Sequence, residues 1–316
     1  MKKNQLDHSD LYVAPLTFGG NVFGWTIDEP TSFEILDAFV AAGYNFIDTA
    51  NAYSRWVPGN KGGESETIIG NWMKSRRNRD QVIIATKVGA DMGEGKSLRK
   101  NDIFKEAEAS LKRLQTDYID LYQSHWDDSN TPVEETLSAY ADLVQQGKVR
   151  WIGASNFSAE RLSESLAASK KHHYPSYQTF QPLYNLYDRA AFEKELQQVC
   201  KDNNIGVINY YALASGFLTG KYRDESDWNK SVRGQGMKAY FNQRGRDILT
   251  ALDHVAAIHH TAPASIALAW LLTRPTVAAP IASATSITQL QDLINANNIV
   301  LSQDDIALLD AASAWE

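Results

Sequence analysis

Gly43-Tyr44-Asn45-Phe46-Ile47-Asp48-Thr49-Ala50-Asn51-Ala52-Tyr53 is the stretch on which the reading of this chain turns. A glycine suited to closing a preceding helix leads into a short apolar run, Phe46-Ile47, which stops at a carboxylate. A buried strand that ends in an acid is costly unless the acid is paired. Lys87 offers a partner, because it ends a second apolar run, Val82-Ile83-Ile84-Ala85-Thr86. Taken alone, the two could form an ordinary structural ion pair.

The same rhythm extends in both directions. Upstream, Leu6 to Val13 reads as a short N-terminal β-hairpin and Leu16 to Gly20 as the first core strand. Ser32 is placed to cap a helix through Ala42. Downstream, a helix carries Ile68, Ile69, Trp72 and Met73. Strands are expected at 82–87, 118–125, 151–155, 179–181 and 205–210, with helices at 101–114, 132–146, 158–171 and 189–203 between them. Short apolar strands alternating with amphipathic helices imply a parallel sheet. Residues 213–245, rich in Gly, Lys, Arg and Asp, break the rhythm and read as a long loop after the seventh strand. Helices at 246–260 and 263–272, a strand at 277–281 and a helix at 288–296 complete a (β/α)8 TIM barrel. An open doubly wound sheet would want a G-x-G-x-x-G turn after its first strand, and Phe18-Gly19-Gly20-Asn21-Val22-Phe23-Gly24 is not one.

Composition narrows the functional classes. The 316 residues are ample for a single domain spanning 1–316. The formal net charge is −7 and the basic runs are short, which argues against nucleic-acid binding. One cysteine, Cys200, permits neither an intrachain disulfide nor a cysteine metal cluster. His172, His173, His259 and His260 read as solvated helix ends, so no metal site is expected. The start is polar and shows no signal peptide or membrane span, so the expectation is a soluble cytoplasmic protein.

The strand ends carry the chemistry. In order they are Asp48, Lys87, His125, Ser155 with Asn156, Gln181 and Tyr210. A barrel of this kind brings the C-terminal ends of its strands together at its active site. So many polar ends at one place weaken the reading of Asp48 and Lys87 as a structural pair alone.

These segments resemble the aldo-keto reductase family nearly end to end. They are Gly43 to Tyr53, Ala85-Thr86-Lys87, Asp117 to Tyr122 with His125, Gly153 to Phe157, Gln181 to Asn185 and Tyr210 to Tyr222. The resemblance implies a catalytic tetrad of Asp48, Tyr53, Lys87 and His125, an NADP(H) cofactor and a small carbonyl substrate. It implies that Gly20, Asn21, Val22, Ser155, Asn156 and Gln181 approach the cofactor and that Tyr210 stacks on its nicotinamide. It assigns Leu213, Ser215, Phe217, Thr219 and Lys221 to the pyrophosphate, and Ser283, Thr285, Gln289 and Asp292 to the adenosine phosphate. Simpler readings stand beside these. Ser155 and Asn156 could cap the next helix, and Tyr210 could be plain core. Trp25, Trp56, Trp126 and Trp228 lie in expected loops and form either a substrate pocket or a cover for the barrel mouth. Two other functions compete: a partner-binding protein like the potassium-channel β subunits, and a Schiff-base aldolase with Lys87 as nucleophile.

Overall fold

The computed structural model describes residues 3–6 and 8–315. An antiparallel pair, β1 (Asn4–Gln5) and β2 (Tyr12–Val13), precedes an eight-stranded parallel sheet. Its strands are β3 (Thr17–Gly19), β4 (Phe46–Asp48), β5 (Ile83–Val88), β6 (Ile119–Ser124), β7 (Val149–Ser155), β8 (Tyr177–Gln181), β9 (Gly206–Val207) and β10 (Ile281–Ala282). They pair in chain order from β3 to β9, and β10 returns to pair with β3. The approach to β10 also bonds to β9: Val207 N donates to Thr276 O at 2.8 Å and Ala278 N to Val207 O at 2.9 Å. The sheet therefore closes into a (β/α)8 barrel.

Helices α1 (Glu29–Ala41), α2 (Glu64–Arg76), α3 (Lys100–Leu114), α4 (Val133–Gln145) and α5 (Ala159–His172) follow β3 to β7 in turn. The pieces α6 (Ala190–Glu193) and α7 (Leu196–Asp202) follow β8. Then α8 (Gln243–Ile258) and α9 (Pro263–Leu272) follow β9, and α10 (Ile287–Asn295) and α11 (Gln303–Ala312) follow β10.

The period-2 alternation of each strand sorts its side chains between two cores. Ile47, Ile84, Tyr122 and Ile152 pack outward against the helices. Phe46, Ala85 and Leu121 point inward and meet Leu6, Leu11 and Val13, so the N-terminal hairpin plugs the end where the strands begin. Asp48, Lys87 and Gln123 lie two residues further along the same inward face, nearer the open end. The plug is clamped by ion pairs: Arg150 bridges Asp10 and buried Asp120, and Arg79 holds Asp120's other oxygen.

Some sequence expectations need correction. Helix α1 starts earlier than expected, because Asp28 caps it by accepting from Thr31 N at 3.0 Å, while Ser32 lies within the helix. The helix expected at 189–203 breaks at Glu195, whose φ of −136° leaves the helical region. The strand expected at 205–210 shortens to β9, continued by a bridge between Leu183 and Tyr210. The 213–245 loop contains 3-10 helices at Ala214–Thr219, Glu225–Lys230 and Gly234–Tyr240. No single helix among the described residues is long and apolar enough to cross a membrane.

Candidate active site

Strands β4 and β5 deliver a buried carboxylate and ammonium to one point. Lys87 Nζ donates to Asp48 Oδ2 at 2.6 Å, to Thr49 O at 2.8 Å and to Tyr53 OH at 2.9 Å. Tyr53 OH in turn lies 3.3 Å from Asp48 Oδ2, a long and weak donation. His125 follows β6, its ring centroid 6.0 Å from that of Tyr53. The His125 ring makes no hydrogen bond to any described residue, and its Nδ1 is buried. The four residues that the sequence put forward as a tetrad thus stand together.

Burial sets their protonation. Burial and the nearby Asp48 carboxylate hold the Tyr53 phenol well above its ordinary pKa, so it keeps its proton. Burial lowers the pKa of Lys87, opposed by the carboxylates of Asp48 and Glu66. Burial, then the Lys87 cation, pushes His125 well below the ordinary imidazole value. His125 is therefore a neutral ring with one N–H to donate.

The site opens into a cavity of about 1130 Å³ lined by Tyr53, His125, Ser155, Asn156, Gln181 and Tyr210 at its inner end. Ser158, not Ser155 or Asn156, caps α5 by accepting from Arg161 N. Asn156 sits in the left-handed region at φ 56°, a conformation asparagine tolerates. Its Nδ2 donates to His125 O at 2.9 Å and its Oδ1 accepts from Tyr210 OH at 2.9 Å. Ser155 Oγ donates to Gln181 O at 2.8 Å. These bonds tie the strand ends into one rim.

Further out the cavity is lined by Asn21, Val22, Leu213, Ser215, Thr219 and Lys221, and then by Ser283, Thr285, Gln289 and Asp292. Ser286 caps α10, and Thr285 donates to Gln289 Oε1 through both N (2.9 Å) and Oγ1 (3.0 Å). Burial raises the Asp292 carboxyl. Trp25, Trp56 and Trp126 also line the cavity. Trp25 and Trp56 meet edge to face at 5.4 Å, and Trp56 reaches Tyr53 at 6.1 Å.

Three candidates do not face the cavity. The carbonyl of Gly20 is taken by Ser65 Oγ at 2.8 Å. The Phe217 ring stacks on Tyr240 at 5.1 Å, within the core. Trp228 packs on Phe241 at 6.1 Å and underpins the loop instead: a Cβ on Gly234 would fall 1.8 Å from its carbonyl oxygen. Among the described residues no group of three His, Cys, Asp or Glu is placed to hold a metal ion.

A model of the Aldo/keto reductase family matches residues 15–314. The chain belongs to the aldo/keto reductase family. Similar curated proteins include an uncharacterized oxidoreductase, YrpG, from Bacillus subtilis (strain 168), 34% identical over 98% of this chain and 95% of its own length. The aldo-keto reductase YhdN from the same organism is 34% identical over 95% of this chain and 88% of its own length. Norsolorinic acid reductase of Aspergillus flavus is 30% identical over 96% of this chain and 79% of its own length. Family membership supports oxidoreductase activity on carbonyl groups.

Sequence reading of this aldo/keto reductase missed several cavity and site residues. Tyr211 and Arg233 line the cavity, with the Arg233 guanidinium 4.9 Å from the Trp25 ring centroid. Gln123 was missed although a signal existed. It lies two residues before His125, so strand periodicity puts both on one face.

Proposed function

We propose that this chain reduces aldehydes or ketones to alcohols with NADPH, and catalyses the reverse oxidation, with Tyr53 as proton donor and residues 1–316 as one domain. The observation that carries this is the Lys87 ammonium donating to Tyr53 OH at 2.9 Å beside a neutral, unpartnered His125 ring. The cavity fits the cofactor by its donors: amides and a hydroxyl at the inner end, and a capped helix N-terminus with hydroxyls at the outer end. A nicotinamide held there supplies the hydride. Ser155, Asn156 and Gln181 would hold its carboxamide end, and Thr285, Ser286 and Gln289 its adenosine phosphate.

The remaining steps belong to the protein. His125 N–H donates to the carbonyl oxygen and orients it. As the carbonyl carbon gains a hydride, charge builds on that oxygen. Tyr53 releases its weak bond to Asp48 and gives its proton to the oxygen, which is more basic than a phenolate. The phenolate left behind faces the Lys87 ammonium, and Asp48 keeps that ammonium in place.

The Schiff-base reading needs a neutral, mobile Lys87. Its bonds to Asp48 and Thr49 O oppose that. The partner-binding reading gains no support from relatives named as reductases and oxidoreductases. Consumption of NADPH with a panel of aldehydes, ketones and sugars tests the proposal, and no turnover across the panel would refute it.

The pH dependence has a defined form. Tyr53 stays protonated and His125 stays neutral, so kcat/KM for reduction should be flat between about pH 6 and 9. An inflection near 6.5 would show that His125 titrates in the working range. Stability should depend on pH where the rate does not. Above about pH 6.5 His125 is neutral folded and unfolded and has no effect; on acidification the unfolded ring takes a proton that the buried ring refuses, and stability falls by up to about 1.4 kcal/mol per pH unit.

Cofactor choice can be measured separately. Residues 282–289 include no Arg or Lys to pair with a 2′-phosphate. The absent charge-assisted bond is worth about 1.5–3 kcal/mol, or roughly 10- to 100-fold in discrimination. NADPH should still be preferred over NADH, and Thr285→Arg should widen the kcat/KM ratio. A ratio below one would overturn the preference, and one unmoved by T285R would place the phosphate elsewhere.

A further inference from the structure

Asp48 is held on both oxygens. Lys87 and Tyr53 occupy Oδ2. Oδ1 accepts from Gln181 Nε2 at 3.0 Å and from Gln123 Nε2 at 3.2 Å. The two amides also meet, with Gln181 Nε2 3.3 Å from Gln123 Oε1. All three side chains are buried. Gln123 has room to reach Asp48 because Gly153 stands opposite it on β7, where a Cβ would lie 3.1 Å from Gln123 Cγ.

Gln181 has two demands on it. It lines the cavity, where the NADPH reading turns its amide toward the nicotinamide carboxamide, and it also donates to Asp48. When its amide turns to the cofactor, Asp48 Oδ1 keeps one neutral donor, Gln123. We propose that Gln123 is a positioning residue that keeps Asp48 aimed at Lys87 while Gln181 engages the cofactor. The inference rests on the NADPH-reductase reading. Without Gln123, Asp48 and the carboxamide compete for the amide of Gln181.

Gln123→Met removes the donor at nearly constant volume. Protein fluorescence would follow titration with NADPH and with 2′-phospho-ADP-ribose, which lacks the nicotinamide, beside steady-state rates. In Q123M the NADPH Kd should rise and kcat should fall, each by about 10- to 100-fold, with affinity for the fragment unchanged. Q123E puts a titratable donor at the same place. Its carboxyl donates to Asp48 only while protonated, so kcat should recover as pH falls and drop as pH rises, where the unaltered protein is expected to be flat. Equal loss of affinity for both ligands, or Q123M turnover like the parent's, would overturn the proposal. If Q123M does not fold, a Q123E pH profile matching the parent's overturns it instead. Absence of turnover in the unaltered protein would sink the reductase reading; the contrast between NADPH and the fragment would still decide the role of Gln123.

Discussion

Tyr53→Phe should lower carbonyl reduction by about 10²–10⁴-fold, the range for removing a positioned general acid. The substitution is structurally mild. Lys87 retains Asp48 and Thr49 O as acceptors, so no cation is stranded. The ring keeps its edge contacts with Trp56 and His125. NADPH affinity and the unfolding midpoint should therefore hold while kcat collapses. Steady-state kinetics with one aldehyde, a fluorescence titration and a urea melt separate the three quantities. Turnover within the parental range would remove Tyr53 from the chemistry.

Lys87→Met should damage both folding and catalysis. It strands the buried Asp48 carboxylate, and breaking a buried pair by removing one partner costs about 3–5 kcal/mol. It also removes the cation facing the phenolate, comparable to losing one preorganised transition-state donor at about 10²–10³-fold in kcat. Asp48→Asn added to K87M should restore part of the stability and none of the activity. If the double variant regained turnover, Lys87 would be a structural residue. If K87M were as stable as the parent, the pair would not be buried as described.

The barrel was legible because each strand is an apolar run that stops at a polar residue. Asp48, Lys87 and His125 could be read together for that reason, and the structure brings them together. The rest depends on short local signals or on long-range packing. Helix α11 carries a local one, a capping box of Ser302 with Asp305. Asp28 outcompetes Ser32 as the cap of α1, since its carboxylate accepts from Thr31 N just beyond Pro30. The position of Trp228 was not readable. Whether a loop tryptophan faces the cavity or props the loop depends on Phe241 and Gly234, and no periodicity links them. The break between α6 and α7 sits beside Glu193, which accepts from Tyr184, Arg189 and Trp315, partners scattered along the chain.

The closure of the barrel has a consequence for the order in which the chain can be assembled. Asn4 donates to Ala278 O, Thr17 pairs with Ile281, and Leu6, Leu11 and Val13 pack on Ala279 and Ile281. Residues 4–17 thus have no finished surface to rest on until residues 278–281 have been made. A nascent chain can stack its strands one beside the next, but its first strand remains an open edge throughout synthesis. Closing it is a contact of very large sequence separation, the kind that slows folding. Chains halted before residue 276 should be held by chaperones or degraded, and chains extended past β10 should gain their protease resistance in a single late step.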